Sequence, residues 1–460
     1  MKELNKFGGT SVDCLDQIIT VINSRKKYNP YVCVSAFSGV TDVLIKLIDK
    51  AKKQESLSSE DIDNLKNIHL EKIRNGLSNE EDINFLKEKF EEFFNKLLIN
   101  LKISYNNLLE RDHNPIDYDT IIGIGEQISA FLISELLTFK SNKNGFKGKF
   151  INLENVMGKR NKKTDEAFYK KLRDNIEKKI NEEKSKDTVL IMTGFIGYFP
   201  EGITHIIGRG YTDYTGALVA SIIKADKYII FKEVDGICSA DPSILKGEFI
   251  LLPELSYREV FKMSSGGMKA INTEAVKPAM NDGIPIEVRN SFTPNKEGTL
   301  IVAKRKLDPN KKIQNISIKS NVCVIRFGGL SYNAQKFELI LMELLDKYEL
   351  VKFFSTSDRA GTSVVLSYED KIEKLLDELK KYGNAYIIKN CAIVAIVGEE
   401  MKGDIHILSE AVMAITSTNS EIYTVVQGGS QVGIDFVIDE KNLNKVVESL
   451  HDNFFGYLNN

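Results

Sequence analysis

The chain has 460 residues, which is enough for two to four domains with sizeable cores. A formal net charge of −2, with 62 basic and 64 acidic residues, argues against nucleic acid as a partner, since a nucleic-acid binder carries a basic surface. The five cysteines and five histidines are scattered, so no metal site is predicted and a reduced, cytoplasmic compartment is expected.

The N-terminal motif Lys6-Phe-Gly-Gly-Thr-Ser11 follows a short apolar strand and precedes helix-like sequence. Glycine lets the backbone approach a ligand closely, and lysine supplies a point charge suited to phosphate. Because Gly-Gly between apolar segments is also an ordinary turn, the motif alone is weak. A Walker-type loop, G-x-x-x-x-G-K-[ST], is absent from the sequence. The motif therefore predicts a phosphate cradle of another kind.

The following segments alternate between buried strands and helices. Tyr31–Ser35 is a predicted strand, followed by the small-residue loop 35–42 and a helix. Residues 56–112 have helical periodicity and predict a helical insertion. The apolar stretch 121–139 contains Glu126, Gln127 and Glu135, charges and polar groups that argue against a membrane span. Glu126 at a helix start could also serve only the helix dipole.

A second glycine-rich loop, Gly208-Arg-Gly-Tyr-Thr-Asp213, strengthens the prediction of a site. It follows apolar sequence and opens another apolar helix. Arg209 can bind a carboxylate or phosphate through two parallel hydrogen bonds. Because such loops lie at the carboxyl ends of parallel strands, we expect both to meet at one edge of an α/β sheet. The fold predicted for residues 1–304 is an αβα sandwich with a mainly parallel sheet.

The C-terminal third contains an internal repeat. Val322–Gly328 and Ile393–Gly398 are apolar strands, each followed by a helix, two strands and a further helix. This order predicts two ferredoxin-like βαββαβ units, at 315–385 and 386–460, that pack together. No catalytic constellation is evident in them, so they are expected to act as a small-molecule sensor or an oligomerisation module.

The complete set of motifs resembles the aspartate kinases of the amino-acid-kinase family that carry two C-terminal ACT domains. The motifs are KFGGTSV (6–12), SAFSGVTD (35–42), GE (125–126), TGFIG (193–197), GRGYTDYT (208–215) and EVDGICSADP (233–242). The resemblance implies ATP- and Mg²⁺-dependent phosphorylation of the side-chain carboxylate of L-aspartate, the first step towards lysine, threonine and methionine. The alternatives are another amino-acid kinase, such as a glutamate kinase, and a non-catalytic amino-acid sensor.

The resemblance also assigns residues. The implied catalytic residues are Lys6, Arg209 and Asp213, and the implied aspartate contacts are Ser35, Thr41, Glu126, Arg209, Gly210, Tyr211 and Thr212. The implied ATP contacts are Lys6, Gly8, Gly9, Lys232, Glu233, Cys238, Ser243, Lys269 and Ala270. The sequence departs from the family pattern at Tyr211 (usually glycine), Thr212 (serine), Lys232 (threonine), Cys238 (tyrosine) and Ser243 (arginine).

In the first ACT domain the resemblance implies an effector site, with lysine as the expected inhibitor. The matching positions are Leu330, Asn333, Lys336, Phe337, Leu350, Val351, Lys352, Ser357 and Asp358. Lys352 stands where lysine-regulated relatives carry an aspartate for the effector's ammonium group, and two like charges would repel. A homodimer or homotetramer formed through the ACT domains is expected, with no membrane partner.

Overall fold

The computed structural model describes residues 1–110, 114–141, 146–158, 163–197, 199–208, 210–245, 249–308, 311–328, 334–399, 401 and 404–456. It divides into two compact units. The first comprises Met1–Ile237 and Asn272–Ala303, and the second comprises Cys238–Ile271 and Lys304–Asn460. The break between Ala303 and Lys304 lies at the predicted end of the first domain, whereas the segment Cys238–Ile271, predicted within that domain, packs with the C-terminal unit.

The elements are numbered along the chain. Up to residue 303 they are β1 (Glu3–Phe7), α1 (Gly9–Val12), α2 (Leu15–Ser24), β2 (Pro30–Val34), α3 (Val40–Lys52), α4 (Ser59–Gly76), α5 (Glu80–Glu110), α6 (Pro115–Ile122), α7 (Ile124–Lys140), β3 (Lys147–Ile151), α8 (Glu166–Glu183), β4 (Thr188–Thr193), α9 (Ile203–Ile206), α10 (Tyr211–Ile222), β5 (Lys227–Lys232), α11 (Pro242–Leu245), β6 (Glu254–Ser256), α12 (Tyr257–Ser265), α13 (Thr273–Asn281), β7 (Ile286–Asn290) and β8 (Thr299–Val302).

The strands of the first unit lie in the order β3-β4-β2-β1-β5-β7-β8. All neighbours pair in parallel except β7 and β8, which are antiparallel. Every residue of β1 and β2 is buried, as in a sheet covered by helices on both faces. The predicted α/β sandwich with a mainly parallel sheet is confirmed. Its central strand, β1, ends at the N-terminal glycine motif.

The helical insertion consists of α4 and α5. Its apolar side chains pack on the helix that carries Glu126: Phe85 stacks on Phe139, and Phe93 stacks on Phe131, each with ring centroids 4.1 Å apart. The stretch Pro115–Lys140 is apolar and long enough to cross a membrane, but 89% of an apolar 18-residue part of it is buried inside the protein. Such burial is typical of a core helix.

The remaining elements are β9 (Asn315–Gly328), α14 (Ala334–Tyr348), β10 (Lys352–Ser357), β11 (Gly361–Ser367), α15 (Ile372–Lys380), β12 (Asn384–Val397), α16 (Ile405–Ser417), β13 (Ile422–Val426), β14 (Gly433–Asp439) and α17 (Leu443–Phe455). They form a six-stranded sheet in the order β10-β11-β9-β12-β14-β13. Separate apolar clusters lie under α14 and α15 and under α16 and α17. Two βαββαβ repeats are therefore present, as the periodicity predicted.

The two repeats share their longest strands. The C-terminal half of β9 pairs with the N-terminal half of β12, while residues 315–319 pair with residues 393–397. The second repeat thus takes its fourth strand from residues that precede the first repeat. The expected boundaries, 315–385 and 386–460, do not contain this exchange. The strand at residues 315–319 precedes both repeats, so the repeat pattern in the sequence does not indicate it.

The segment 238–271 is fastened to the C-terminal unit by buried polar contacts. Arg305 makes a two-pronged ion pair with Glu259, with N–O distances of 2.7 and 2.8 Å. The Ser239 hydroxyl lies 2.9 Å from Nε2 of His451 in α17. Lys262 of α12 forms an ion pair with Asp435 of β14. Breaking buried pairs of this kind is costly, so the segment belongs firmly to the second unit.

Candidate active site

The centre of the candidate site is an ion pair between the two glycine-rich motifs. Lys6 lies near the end of β1, Asp213 lies in the first turn of α10, and Lys6 Nζ is 2.5 Å from Asp213 Oδ1. Both side chains are buried. Burial alone would raise the pKa of Asp213, but the positive charges of Lys6 and Lys232 outweigh it and hold that pKa below its usual value. The carboxylate is therefore ionised.

Lys232 adds a second positive charge at the end of the neighbouring strand, β5. Burial lowers its pKa, Asp213 acts in the opposite direction, and Lys6 lowers the pKa further. Lys6 and the half-buried Lys232 thus flank the buried carboxylate of Asp213, and the exposed Glu233 also acts on Lys232. Such a cluster is suited to binding an anion such as phosphate.

The glycines of the N-terminal motif allow close backbone packing at this cluster. A Cβ at Gly9 would lie 3.1 Å from the carbonyl oxygen of Ala36, so a side chain there would crowd the loop that follows β2. The Gly8 amide donates to the carbonyl of Phe231 at 3.4 Å, which ties the motif to β5. A Cβ on Gly8 would lie 3.8 Å from Lys6 Nζ, so Gly8 packs directly beside the lysine of the ion pair.

Glu126 is a fully buried carboxylate in the first turn of α7. Among the residues that the structure describes, neither of its oxygens has a hydrogen-bond partner of ordinary geometry. Burial raises its pKa to about 7, whereas the nearby Tyr211 hydroxyl, the Ala36 amide and the Lys6 charge favour ionisation. An unpaired buried carboxylate is costly, and a cationic ligand group would compensate for it.

Glu126 lies close enough to Lys6 for the lysine charge to lower its pKa. The buried thiol of Cys33 lies on β2, and burial raises its pKa to about 12. The charges of Lys6, Asp213 and Glu126 all act on this thiol. The Lys6–Asp213 pair and Glu126 are thus close neighbours around Cys33 of β2.

The other predicted substrate residues surround Glu126. The Tyr211 side chain packs edge-on against Phe195, with ring centroids 5.1 Å apart, and its hydroxyl lies near both Glu126 and Thr41. The carbonyl of Ser35 accepts a hydrogen bond of 2.7 Å from Ser129, three residues after Glu126. The loop following β2 and the start of α10 therefore converge on α7.

The start of α10 depends on glycines. Gly210 precedes the helix with φ of 109°, a left-handed conformation that other residues rarely adopt. A Cβ at Gly194 would collide with Thr212. The tyrosine at position 211, where the family usually has glycine, is accommodated because its ring turns inward beside Glu126.

Several of the predicted site residues do not lie at this site in the described part of the first unit. Arg209 lies outside the described residues. Glu233 is exposed on the first unit. Cys238, Ser243, Lys269 and Ala270 belong to the second unit. The Ser243 hydroxyl donates to Asp241 at 2.7 Å. The proposed contacts of these residues with nucleotide remain predictions.

The predicted effector residues occupy different surroundings in the second unit. Leu330 and Asn333 lie outside the described residues. Leu350 and Phe337 are buried, and Phe337 stacks on Phe327 at 4.0 Å. Val351 and Lys336 are exposed. Ser357 and Asp358 line a cavity of about 500 Å³ together with Arg326, Thr362 and Tyr386.

Lys352 has an acidic neighbour. Its Nζ lies 3.4 Å from Glu338 of α14, and the same carboxylate accepts a hydrogen bond of 2.9 Å from Ser355. Like-charge repulsion at this position is therefore smaller than the sequence alone suggested, because Glu338 partly neutralises the lysine.

Two further contacts to the site were missed by the sequence analysis. Lys72 of the helical insertion donates to Asp13 at 2.7 Å and to Ser38 at 2.8 Å, and so supports the loop after β2. Asp119 of α6 accepts from the Ile203 amide at 2.7 Å. A charge on an amphipathic helix usually faces solvent, so the sequence did not indicate a tertiary contact for Lys72. Asp119 is an acid beside an apolar run, which is only a weak indication of a buried role.

Comparison with known proteins agrees with this architecture. The sequence model of the amino acid kinase family matches residues 1–290. The chain belongs to the amino acid kinase family. A model of the ACT domain matches residues 394–454, which lie in the second βαββαβ repeat of this amino acid kinase.

This family member is similar over nearly its whole length to named relatives. It is 26% identical to the aspartokinase of Candida albicans, over 97% of this chain and 89% of that protein. It is 26% identical to aspartokinase 3 of Bacillus subtilis, over 76% of this chain and 77% of that one. The crystal structure of Escherichia coli aspartokinase III with aspartate and ADP covers 99% of this chain with a TM-score of 0.75 at 22% identity. The last similarity establishes the shared fold.

Proposed function

We propose that this amino acid kinase transfers the γ-phosphoryl group of ATP to the side-chain carboxylate of L-aspartate, giving 4-phospho-L-aspartate. The observation that carries the proposal is that two lysines flank Asp213 close to Glu126, a buried carboxylate whose oxygens have no hydrogen-bond partner of ordinary geometry among the described residues. The lysines suit the phosphates of a nucleotide, and Glu126 suits the ammonium group of an amino acid. The similarity to aspartokinases, one of them crystallised with aspartate and ADP, supports the choice of substrate.

The chemistry needs no general base. A carboxylate with an ordinary pKa of about 4 is already ionised at neutral pH and can attack phosphorus directly. Catalysis then requires in-line positioning of the two substrates and neutralisation of the phosphate charge. Lys6 and Lys232 would stabilise charge on the phosphates, and Asp213 would hold Lys6 in place. Arg209 would bind the α-carboxylate of aspartate, and Glu126 would accept from its ammonium group.

Mg²⁺ is expected to arrive with the nucleotide. In such sites it takes most of its ligands from phosphate oxygens and water, with one or two protein carboxylates. Asp213 is suitably placed beside Lys6 to orient such a complex. Within the described part of the chain, no cluster of three or more His, Cys, Asp or Glu residues could hold a resident metal. The metal is therefore proposed to accompany the substrate.

A substrate panel separates this proposal from its rivals. ADP release coupled to a dehydrogenase should depend on L-aspartate and should be at least a hundredfold slower with L-glutamate. ADP release that depends on glutamate would favour the alternative that the protein is a glutamate kinase. No release with either acid, from a protein that still binds aspartate, would favour a sensor. A variant with Arg209→Ala should lose affinity for aspartate more than for ATP.

The ACT repeats are proposed to bind lysine as a feedback inhibitor and to join subunits into a dimer or tetramer. Escherichia coli aspartokinase III has been crystallised with lysine and aspartate, which supports this choice of effector. We expect millimolar lysine to lower the rate of ADP release, and Ser357→Ala to weaken the inhibition while leaving the uninhibited rate unchanged. Equal rates with and without lysine, threonine and methionine would refute feedback control and leave catalysis standing.

A further inference from the structure

A buried carboxylate outside the predicted set joins the two segments that carry the substrate residues. Asp119 of α6 is 1% exposed. Its Oδ2 accepts from the Ile203 amide at 2.7 Å, and its Oδ1 accepts from the Thr204 hydroxyl at 3.3 Å. These bonds bridge more than eighty residues of sequence, between α6 and the first turn of α9.

Both ends of this bridge lead directly into the candidate site. From Asp119 the chain continues through Gly123 into α7, where Glu126 lies in the first turn. From Ile203 it continues through α9 and Gly208 to Gly210 and α10. The bridge therefore fixes the origin of the second glycine-rich loop relative to the helix that carries Glu126.

The turn before α9 is built around the same carboxylate. Gly202 has φ of 85°, and a Cβ on it would lie 3.2 Å from Pro115 and 3.7 Å from both Asp119 oxygens. The turn is thus pressed against α6, with Asp119 filling the space beneath it. The Asp119 charge also contributes to raising the pKa of Tyr211, so Asp119 acts electrostatically on the first residue of α10.

We propose that Asp119 is a positioning residue for substrate binding, which sets the second glycine-rich loop at the correct distance from Glu126. The inference rests on the proposed function, since the substrate bound there is taken to be aspartate. Burial raises the pKa of Asp119 to about 7, and the bonds from Ile203 and Thr204 offset it only in part. Burying a carboxylate is costly, and both oxygens of Asp119 are used to hold the start of α9.

The test uses two isosteric substitutions on the same helix. Asp119→Asn removes the charge and turns an N–H group towards one of the donors. Asp117→Asn is the matched control: Asp117 is 3% exposed and accepts from Asn107 at 3.1 Å and from Asn114, neither of which belongs to α9. With Asp119→Asn we expect KM for aspartate to rise at least tenfold and KM for ATP to change less than twofold. Asp117→Asn should lower Tm by a similar amount to Asp119→Asn but should leave both KM values within twofold of wild type.

Two results would overturn the proposal. One is an unchanged KM for aspartate in Asp119→Asn. The other is an equal rise in both KM values in step with Tm, which would indicate a purely structural role. If the wild-type protein releases no ADP with aspartate, the proposed function fails. Amide hydrogen exchange then tests independently whether Asp119 holds the segment before α10 in place. Residues 199–207 should then exchange at least tenfold faster in Asp119→Asn than in Asp117→Asn; equal exchange would show that Asp119 does not hold this segment.

Discussion

Replacing Lys6 by methionine should lower kcat about 10³-fold, the loss seen when one preorganised donor to a developing charge is removed. The side chain is buried and 2.5 Å from Asp213, so no exposed lysine can take its place. Methionine keeps much of the volume but removes one of the two positive charges proposed to act on the phosphates, which leaves Lys232 alone. The measurement is single-turnover ADP formation at saturating aspartate and ATP.

The same substitution leaves Asp213 without its nearest cation. Lys232 still acts on Asp213, so we expect the protein to remain folded with a lower Tm. Lys6→Met combined with Asp213→Asn should recover part of the Tm but none of the activity. Lys227→Met is the control, because Lys227 begins β5 at the opposite end of the strand and pairs with Glu287 at 3.0 Å. A kcat for Lys6→Met within tenfold of wild type would contradict the role assigned to Lys6.

Replacing Glu126 by glutamine should raise KM for aspartate about 100-fold, equivalent to about 2.7 kcal/mol of lost binding. KM for ATP should change little, because Glu126 faces the proposed ammonium side of the site. The reason is the loss of the only charge assigned to the substrate's ammonium group. Initial rates over a matrix of aspartate and ATP concentrations measure both constants.

Glu126→Gln should also stabilise the protein without substrate. Burial raises the pKa of Glu126 from 4.5 to about 7, so the folded state binds more protons than the unfolded state between these values. Stability contributed by this group is therefore lost as pH rises from about 4.5 to 7. Glutamine removes that loss, so the gain in Tm should be larger at pH 8 than at pH 5. A lower Tm at pH 8 would show that the carboxylate is compensated in the free protein.

The sequence was sufficient to predict the residues at strand ends and helix starts. Lys6 and Asp213 lie in glycine-rich motifs, and turns of this kind can be recognised from the local sequence alone. The rule that parallel strands end at one edge of a sheet predicted that the two motifs lie near each other, but it did not predict their ion pair. The fold class followed from the alternation of buried strands with helices.

Features that depend on distant contacts could not be predicted. The membership of 238–271 in the second unit rests on pairs such as Arg305–Glu259, and nothing local marks a lysine or arginine as a tertiary partner. The strand at 315–319 completes a repeat that begins about seventy residues later, beyond any periodic signal. The burial of Glu126 without a hydrogen-bond partner of ordinary geometry among the described residues depends on distant segments, and an acid at a helix start has an ordinary local explanation.

The most direct test of the account is the chemical identity of the product. Incubation with ATP, Mg²⁺ and L-aspartate in the presence of hydroxylamine should trap an acyl phosphate as aspartyl hydroxamate, with the hydroxamate on the side-chain carboxyl group. The amount trapped should equal the ADP released, and Lys6→Met should form almost none. ADP release without hydroxamate, or hydroxamate formed from glutamate but not from aspartate, would contradict the proposed reaction.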